Sequence, residues 1–421
     1  MTGVSSRALW TLVVAELVSI LGTRMTYLAL PWFVLVTTGS VSKMTIVLAV
    51  EMIPMALFGV PSGTLVQRYG ARTVMLASDL MRAPLLAAVP LLHALDVLAF
   101  WLLLVLVFLL GCFMAPYFAS QRVILPELVG EDERSMSQAN SLIEGGTAFA
   151  ALAGPALAGV LIPFLDAPTI LYIDAGTYLV SFLLILMFVP RRKPAVAAAP
   201  THGVLAGLRF VVTDKLLAPL TVTVVLFGFL SAGISAALPF YAFDVFSSAR
   251  IAGLFYTALG AGALVGSMLA IVFVRRIKPL RLAGLAILAF ALPLWVLPFE
   301  PPLALIFPAL FLATLFTPLV NGPVIGVLTK RTPLDLRAKV MTAVITLSTL
   351  AAPGGFLAAG QVIERWGVVP VFAIVAAGIT VTALLFSFIA LTHRDEDAIV
   401  LEPLAEPGLG PGRETAGATE A

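Results

Sequence analysis

The sequence predicts an all-α integral membrane protein with twelve transmembrane helices, arranged as two parallel six-helix pseudo-repeats. Three observations lead to this fold class. Hydrophobic residues make up 60% of the 421 residues and charged residues only 11%, whereas a soluble domain carries about 25% charged residues. Apolar runs long enough to cross a bilayer recur along the chain. Short motifs of the first half also recur in the second half.

The apolar runs define the spans and the domain organisation. Lipid offers the backbone no hydrogen-bond partners, so each run is expected to be helical. We predict a six-helix half at 1–189, a cytoplasmic central loop at 190–216, a second six-helix half at 217–394 and a disordered acidic tail at 395–421. The first run lacks a clear cleavage site, which favours a retained helix over a signal peptide. The predicted spans are 8–36, 43–65, 73–92, 97–118, 137–162, 168–189, 217–240, 250–274, 280–298, 302–328, 337–361 and 368–391.

The lysines and arginines fall mostly on one side of the predicted spans. Of the 25, we place 21 on the side that holds both termini, three (Lys43, Arg250 and Arg365) on the other side, and Arg24 within a span. Cytoplasmic loops of membrane proteins carry the excess of these residues, so both termini are predicted to be cytoplasmic. The excess of arginine over lysine, 19 to 6, is typical of a GC-rich bacterial genome. The expected location is therefore the bacterial cytoplasmic (inner) membrane.

Four short motifs recur in the same order in the two halves. Both halves begin on the cytoplasmic side, so the repeats are parallel, and transporters built this way place the substrate path near the midplane between the halves. GPALAG at 154–159 is echoed by GFLAAG at 355–360, and LPW at 30–32 by LPF at 238–240. The residues that recur at an offset of 203 are Gly63, Arg72, Asp132 and Arg134, matched by Gly266, Arg275, Asp335 and Arg337.

The polar stretch GTLVQRYGAR at 63–72 interrupts two apolar runs on the predicted cytoplasmic side. It resembles the signature loop of the major facilitator superfamily, G-x-L-A-D-R-x-G-R-R, and the twelve spans, inner termini and basic central loop extend the resemblance over nearly the whole chain. Within that superfamily, the stretches at 21–40, 125–140 and 153–161 resemble the drug–proton antiporter branch, which includes macrolide and multidrug exporters. The matching loop residues are Gly63, Leu65, Arg68, Gly70 and Arg72.

We interpret this loop as a cytoplasmic gate. Its glycines would let two helices turn and pack closely. Its arginines would reach carboxylates or helix C-termini across the interface between the halves; alternatively, Arg68 and Arg72 only enforce topology. The family has Asp at the fifth position, where this chain has Gln67. We therefore hypothesise a cytoplasmic latch that is either weaker or formed by other residues, with Asp79 as its acid and Arg82 beside it.

Ionisable side chains within the spans are energetically unfavourable in lipid, and they are therefore the first functional candidates. A proton-driven transporter needs buried acids that exchange a proton, so we predict proton-coupling roles for Glu16, Glu51, Asp79 and Glu144. Many proton antiporters of the family place an arginine in span four, but 102–119 has no charged residue here. All the candidate acids lie in the first half. We therefore predict that the first half handles protons and that the second half shapes the cavity.

Several candidates have two interpretations. Glu16 and Arg24 could face one cavity, or Glu16 could lie at the cytoplasmic interface while Arg24 extends outward. Glu51 lies just before a proline, where freed backbone groups could bind water. In the second half, Asn321 and Tyr256 are the polar side chains predicted to line the substrate cavity together with Arg24.

The remaining candidates are less specific. Asp79 and Arg82 are three residues apart and can pair on one helix face, as a structural or gating pair or in proton transport. Glu144 could line the cavity or interact with Arg134. Asp174 lies near the outer end of span six and is predicted to be a solvated or capping residue.

Span five contains a motif of small residues. GPALAG resembles the antiporter signature G-P-x-x-G-G, with Ala158 in place of the first glycine of the final pair. Small residues allow helices to cross closely, and proline permits a bend. We predict a helix-bend motif, suited to a helix that rocks, at Gly154, Pro155 and Gly159.

Several functional classes are disfavoured. No G-x-x-x-x-G-K-[ST] motif occurs, which argues against an ATP-driven pump. The single cysteine, Cys112, excludes an internal disulfide and a multi-thiolate metal site. His93, His202 and His393 are the only histidines and lie at predicted loops or span ends. We therefore expect no enzyme activity, no cofactor and no metal site.

The sequence predicts a secondary active transporter for proton-coupled efflux of small lipophilic or amphipathic compounds by alternating access. The expected partners are a small-molecule substrate, protons as the coupling ion and the lipid bilayer, with no nucleic acid, and the expected state is a monomer. Two alternatives stay open: an exporter of a siderophore or lipid-like metabolite, and a transport-inactive membrane receptor or assembly factor. Joint neutralisation of Glu16, Glu51 and Asp79 should abolish proton antiport but leave an inactive protein unaffected.

Overall fold

The computed structural model describes residues 3–129, 133–191, 206–273, 276–333 and 336–392. The predicted tail, most of the central loop and the repeat residues Asp132, Arg275 and Asp335 lie outside these ranges. Within the ranges, the regular structure consists of α-helices and one short 3-10 helix at Leu297–Phe299. The α-helices are α1 Gly3–Thr38, α2 Val41–Tyr69, α3 Ala71–Ala94, α4 Phe100–Val129, α5 Glu133–Phe188, α6 Ala206–Thr213, α7 Leu217–Phe246, α8 Ala249–Phe273, α9 Pro279–Leu294, α10 Leu303–Leu315, α11 Thr317–Arg331, α12 Arg337–Trp366 and α13 Val369–Thr392.

Predicted spans five and six join without a loop in α5. A straight helix of 56 residues would be roughly 80 Å long, more than twice the thickness of a bilayer core. Asp166 breaks it with a φ of 61° and a ψ of 167°. Its Oδ1 accepts the Thr169 N–H at 3.0 Å, which caps the second segment. The segments 133–165 (α5a) and 167–188 (α5b) are therefore two passes, and eleven long apolar stretches among the described residues contain twelve spans.

Two further features differ from the predicted spans. Span ten consists of two helices, α10 and α11, that meet at Phe316. Pro318 lies in the first turn of α11, where a residue without a backbone N–H is tolerated. Because proline lacks this N–H, it cannot continue the helical hydrogen bonds of α10. In addition, the predicted central loop contains the short helix α6.

Successive passes alternate in direction, so the bundle has two distinct ends. We name the end that holds Gly3 and Thr392 the terminal end, and the opposite end the far end. The 63–72 loop lies at the terminal end, and the turn at Asp166 lies at the far end. Arg82, which we placed among the basic residues of the terminal side, is instead buried within α3. The excess of basic residues on the terminal side over the far side remains without it.

The hydrophobic core differs between these two ends. At the far end, one large cluster includes residues of both halves, from Met25 to Ile379. At the terminal end, one cluster contains only residues between Ala8 and Val189, and another only residues between Val211 and Ala390. The halves are therefore packed together at the far end and packed separately at the terminal end.

Two helix pairs make the largest contacts between the halves: α5a packs on α8, and α2 packs on α12. At the far end of the second pair, the Ser42 hydroxyl donates a hydrogen bond to the Glu364 carboxylate. One turn further in, a Cβ at Gly360 would overlap the side chain of Thr45, so only glycine allows this approach. These contacts hold the two halves together at the far end.

Candidate functional site

The buried charges define the candidate site. In the second half, the buried polar residues that the structure describes are threonines. No group of His, Cys, Asp and Glu among the described residues is arranged to hold a metal ion. A buried charge in a membrane protein is expensive unless it is paired, so the candidate site lies in α1–α5. The buried charged side chains, with their exposed fractions, are Glu16 (2%), Glu51 (8%), Asp79 (0%), Arg82 (3%) and Asp174 (0%).

Arg82 lies at the centre of this group. Its Nη2 donates to Asp79 Oδ1 at 2.5 Å, so the two residues contact each other as their spacing indicated. The guanidinium carbon lies 4.4 Å from the ring centroid of Tyr117 and 4.3 Å from that of Tyr178. Aromatic faces attract a cation more strongly where water is excluded. The two tyrosines therefore stabilise the charge of Arg82 inside the first half.

Asp174 is buried, and our prediction of a solvated or capping residue was wrong. Its Oδ2 accepts a hydrogen bond from Thr26 at 2.6 Å, and its Oδ1 accepts one from Thr177 at 2.9 Å. A Cβ at Gly22 would overlap both Asp174 and Thr177, so α1 packs closely over the carboxylate. Distance from the end of a span does not reveal which helix face turns toward a neighbouring helix.

Glu16 points into the first half and is buried there. Its Oε2 accepts a hydrogen bond from Gln121 Nε2 at 2.8 Å. Its Oε1 is buried without a hydrogen-bond partner. The acid therefore has one satisfied oxygen and one oxygen that is free to take a proton or a water molecule.

A cavity of about 220 Å³ lies between the first five passes. Glu51 and Arg24 line it, and Arg82 closes one side. Among the described residues, Glu51 makes no hydrogen bond and Arg24 makes no ion pair. The cavity thus holds one carboxylate and one guanidinium that have no protein partner. Its apolar lining includes Met52, Met55, Met114 and Phe118.

Tyr256 connects the second half to this cavity. Its ring stands edge-on to that of Tyr27, with centroids 5.8 Å apart and planes at 78°, and Tyr27 lines the cavity. The Tyr256 hydroxyl donates to the Ser235 carbonyl at 2.9 Å. Tyr27 lies one turn beyond Arg24 toward the far end of α1. The aromatic pair therefore joins the two halves just beyond Arg24.

Asn321 lies in a different cavity from Arg24. This second cavity, of about 250 Å³, is formed by α7, α9, α11, α12 and α13 of the second half. Asn321, Thr223, Ser348 and Thr349 supply its polar groups, and the rest of its lining is apolar. In this conformation, the residues predicted to share one substrate cavity are therefore divided between two.

Glu144 does not join the buried acids. Its side chain is exposed on α5a, about three turns from the terminal end of that helix. The side chain of Arg134, its predicted alternative partner, lies outside the described residues. Of the four proton-coupling candidates, the structure brings together Glu16, Glu51 and Asp79 but not Glu144.

The signature loop is open to solvent at the terminal end. Gln67 and Arg68 are exposed, and no described atom lies within 4 Å of the position that a Cβ would take at Gly63. Gly70 ends α2 and begins α3 with a φ of 84°, a conformation that favours glycine. Asp79 is buried against Arg82 rather than placed at the loop. The hypothesised latch with Asp79 as its acid is therefore not formed in this conformation.

Arg72 makes the helix-terminus contact that we predicted for the loop arginines, but within one half. Its Nε donates to the Val189 carbonyl at 2.7 Å, and its Nη2 donates to the Leu186 carbonyl at 2.8 Å. The last carbonyls of a helix lack partners and carry partial negative charge. Arg72 therefore fastens α3 to the end of α5b and does not cross to the second half.

The GPALAG motif lies where α5a contacts two other helices. A Cβ at Gly154 would overlap Arg24 of α1. A Cβ at Gly253 of α8 would lie 2.8 Å from the Cα of Gly159 and 2.7 Å from the Pro155 carbonyl oxygen. Both distances are shorter than any real carbon contact, so small residues are required on both helices. The motif is thus part of the far-end contact between the halves.

Sequence reasoning missed several residues of the site. Tyr117 and Gln121 are four residues apart on α4 and contact Arg82 and Glu16, respectively. A polar pair at this spacing shares one helix face, and in a span without charges it could have indicated the face turned toward the buried acids. Asp174 and Tyr178 have the same spacing on α5b.

The family comparison covers most of the chain. The profile of the Major Facilitator Superfamily matches residues 12–355. The multidrug efflux pump Tap of Mycobacterium tuberculosis is 27% identical over 384 residues, which cover 88% of this chain and 90% of that protein. Macrolide efflux protein A of Streptococcus pyogenes is 20% identical over 265 residues, which cover 62% of this chain and 65% of that protein.

The fold comparison agrees with the family comparison. The crystal structure of the nucleoside transporter NupG superposes with a TM-score of 0.73 and 16% identity, covering 91% of this chain and 98% of that one. At this identity the likeness concerns the fold alone. The predicted fold class and the resemblance to drug exporters are confirmed, and the family consists of membrane transporters rather than enzymes. By its sequence, its helical architecture and its relatives, the chain belongs to the Major Facilitator Superfamily.

Proposed function

We propose that this transporter exports small lipophilic or amphipathic compounds in exchange for protons, by alternating access across the bacterial cytoplasmic membrane. The similarity to the multidrug efflux pump Tap supports the class of cargo. The excess of basic residues at the terminal end supports a cytoplasmic location for that end.

The cluster of four buried carboxylates in the first half carries this proposal. An ionised carboxylate in a low-dielectric interior is unfavourable by several kcal/mol unless it is paired. Arg82 is in contact with only one of the four, Asp79. Binding a proton is the available way to keep the others neutral while they are buried. A carboxyl group that is neutral when buried and ionised when its cavity opens can carry a proton across.

The cavities beside Glu51 and Asn321 support a lipophilic cargo. The cavity beside Glu51 is lined by three methionines and a phenylalanine, and the cavity beside Asn321 is lined mainly by aliphatic side chains. Methionine side chains are flexible and polarizable, which suits a surface that must accept different shapes. Glu51 would then contact the cationic group of an amphipathic compound.

The division of the core supports alternating access. The halves share one core at the far end and have separate cores at the terminal end. With the terminal end in the cytoplasm, this conformation would load cargo from the cytoplasm. Opening the far end would require the contact at Gly159 and Gly253 to separate and a contact at the 63–72 loop to form.

The test uses purified protein in liposomes that contain a pH-sensitive dye. A panel of cationic and neutral drugs is added under an imposed proton gradient, and the drug-dependent change of internal pH is recorded. The test variant is the pair Glu16→Gln/Glu51→Gln. The matched control is Asp244→Asn, which neutralises an exposed acid of α7 and should leave the flux unchanged.

Two outcomes separate the proposal from its alternatives. Drug-dependent proton flux in the wild type that is lost in the Glu16→Gln/Glu51→Gln pair supports antiport with these carriers. No flux with any drug, in protein that is folded and correctly inserted, would contradict the proposal. That result would favour a siderophore or lipid-like cargo, or a membrane receptor without transport activity.

A further inference from the structure

Arg82 lies between two carboxylates along the axis of the bundle. Helix α3 runs from the terminal end to the far end, so Asp79, three residues earlier, lies about 4.5 Å toward the terminal end. Helix α5b runs the opposite way, and its Tyr178 ring lies against the guanidinium. Asp174, four residues before Tyr178, therefore lies about 6 Å toward the far end. One cation thus has one acid on each side.

The contact between Arg82 and Asp79 is incomplete. A guanidinium and a carboxylate can form two parallel hydrogen bonds, but here a single one is present. Arg82 Nε and Asp79 Oδ2 are both buried without a hydrogen-bond partner. A pair that served only to stabilise the fold would be expected to use these groups. The cation is instead held by the faces of Tyr117 and Tyr178, which attract it without fixing its hydrogen bonds.

Asp174 provides a second, prepared position for this cation. Both of its oxygens accept hydrogen bonds from threonine hydroxyls, at 2.6 and 2.9 Å. Hydroxyl donors suit an ionised carboxylate, and each threonine can also rotate to accept from a protonated one. Tyr178, whose ring lies against the Arg82 guanidinium, is one helical turn from Asp174 on the same helix face, so a change of Arg82 rotamer would direct the guanidinium toward Asp174.

We propose that Asp79 and Asp174 are alternative partners of Arg82, and that a proton and the guanidinium exchange places between the two carboxylates during the transport cycle. This inference rests on the proton coupling proposed above and adds to Glu16 and Glu51 a proton-transfer step between two further buried acids. In the present conformation, Arg82 pairs with ionised Asp79, and Asp174 carries the proton. In the other, the O–H bond on Asp174 is broken, an O–H bond is formed on Asp79, and Arg82 pairs with Asp174.

This exchange conserves charge inside the first half. Two carboxylates share one proton and one cation in both states, so the three side chains stay neutral together and no unpaired charge crosses the bundle. Because the acids lie toward opposite ends, each can communicate with a different side of the membrane. The other titratable and charged groups that face these three residues from neighbouring helices are Glu16, Arg24, Glu51, Tyr117 and Tyr178.

The test compares two modes of transport in liposomes that contain the Asp174→Asn variant. In the first mode, a proton gradient drives uptake of a labelled cationic drug that the wild type transports. In the second mode, labelled drug exchanges for unlabelled drug at the same pH on both sides. Exchange requires cargo binding and alternating access but no net proton movement. The control is Asp244→Asn, which removes an exposed acid.

We expect Asp174→Asn to lose gradient-driven uptake, by about tenfold or more, and to keep exchange within about twofold of the wild type. Unchanged gradient-driven uptake would overturn the inference. Parallel loss of both modes, together with a lower melting temperature, would show a structural role and would also overturn it. A wild type without drug-dependent proton flux would instead contradict the proposed function itself.

A second variant keeps the inference testable if Asp174→Asn does not fold. Thr26→Val is nearly isosteric and removes one hydroxyl donor from Asp174. If Asp174 carries the proton, this change should move the pH of half-maximal gradient-driven uptake by about half a unit or more. The same variant should leave the pH dependence of exchange unchanged. An unmoved pH profile for gradient-driven uptake would contradict the inference.

Discussion

The two halves have the same number of passes but differ in the polarity of their interiors. The first half buries four carboxylates and an arginine, whereas the buried polar side chains of the second half are threonines in the described ranges. Two ion pairs among the described residues show the same contrast. Arg82 and Asp79 are 4% and 0% exposed in α3, while Arg331 and Asp214 are 29% and 15% exposed at the terminal end of the second half.

This difference indicates a division of labour between the halves. Buried charge is unfavourable in a membrane protein, so a fold that needed only rigidity would have no reason to retain five such groups on one side. The second half contributes an apolar cavity and the tyrosine that meets Tyr27 across the interface. We therefore propose that the first half handles protons and that the second half shapes the cavity, and four predictions test the structural contrast behind this proposal.

The largest effect is expected for Arg82→Leu. Removing the guanidinium leaves Asp79 buried without its partner, which typically destabilises a protein by about 3–5 kcal/mol. Thermal unfolding of the detergent-solubilised protein should show a clear fall in the melting temperature. The double variant Asp79→Leu/Arg82→Leu should recover much of the loss because no unpaired charge remains. A single variant as stable as the wild type would contradict the structural basis of the comparison.

A smaller effect is expected where the halves meet, for Gly253→Leu. The new side chain would collide with Gly159 and Pro155, and overpacking of this kind destabilises a contact by about 1–3 kcal/mol. The closed far end should open, which spin-label distances between α5a and α8 would record. Gly145→Leu is the matched control on α5a, because no described atom lies within 4 Å of its Cβ position. Equal distance distributions in the two variants would contradict the far-end closure.

The rim ion pair of the second half should matter less than Arg82 and Asp79. Asp214 Oδ1 accepts the Leu216 and Leu217 N–H groups and the Arg331 Nε, each at 2.9 Å. Burial alone would raise the pKa of Asp214, but these donors outweigh burial, and the pKa lies below its ordinary value. Asp214→Ala should lower stability at pH 7 by about 1 kcal/mol through loss of the α7 cap. Asp214→Asn keeps the capping geometry and is the matched control.

The pH dependence of this pair has a definite sign. A carboxylate with a lowered pKa in the folded state contributes stability above the unfolded value of about 3.9, and that contribution is lost as the pH falls through the folded value. The difference in melting temperature between the wild type and Asp214→Asn should therefore shrink below about pH 4. A difference that grows in acid would contradict the assigned interaction.

The smallest effect is expected for Asn321→Ala in the second-half cavity. Asn321 is exposed to that cavity and carries no charge. Its removal should change the apparent affinity for cargo by about threefold or less, with no change in the number of protons exchanged per cargo. Equilibrium binding and flux measurements in liposomes would check both quantities. Loss of proton coupling in this variant would break the proposed division between the halves.

The sequence predicted the fold more fully than the site. The lengths of the apolar runs predicted the passes. Lipid offers no hydrogen-bond partners, so the backbone N–H and C=O groups of each run must pair within a helix. The spacing of Asp79 and Arg82 indicated their contact, since three residues place two side chains on one helix face. The sequence did not predict that the chain would turn at Asp166 without a loop, because this turn depends on a single residue with a positive φ.

Contacts between distant helices could not be predicted from spacing alone. Asp174 was assigned to solvent because its packing against Thr26 and Gly22 depends on how α1 lies over α5b. Glu144 was grouped with the buried acids because its position along a span does not show that it faces away from them. The tyrosines around Arg82 come from two helices that are far apart in sequence. In each case the missing information was helix rotation, which tertiary packing sets.

The most direct test of the division between the halves measures proton release when cargo binds. Purified protein in detergent and weak buffer, with a pH indicator, is titrated with a cationic drug that it transports. We predict that the wild type and Asn321→Ala release protons on binding, and that the pair Glu16→Gln/Glu51→Gln releases fewer. Release that is unchanged in the Glu16→Gln/Glu51→Gln pair, or abolished by Asn321→Ala, would contradict the assignment of proton handling to the first half.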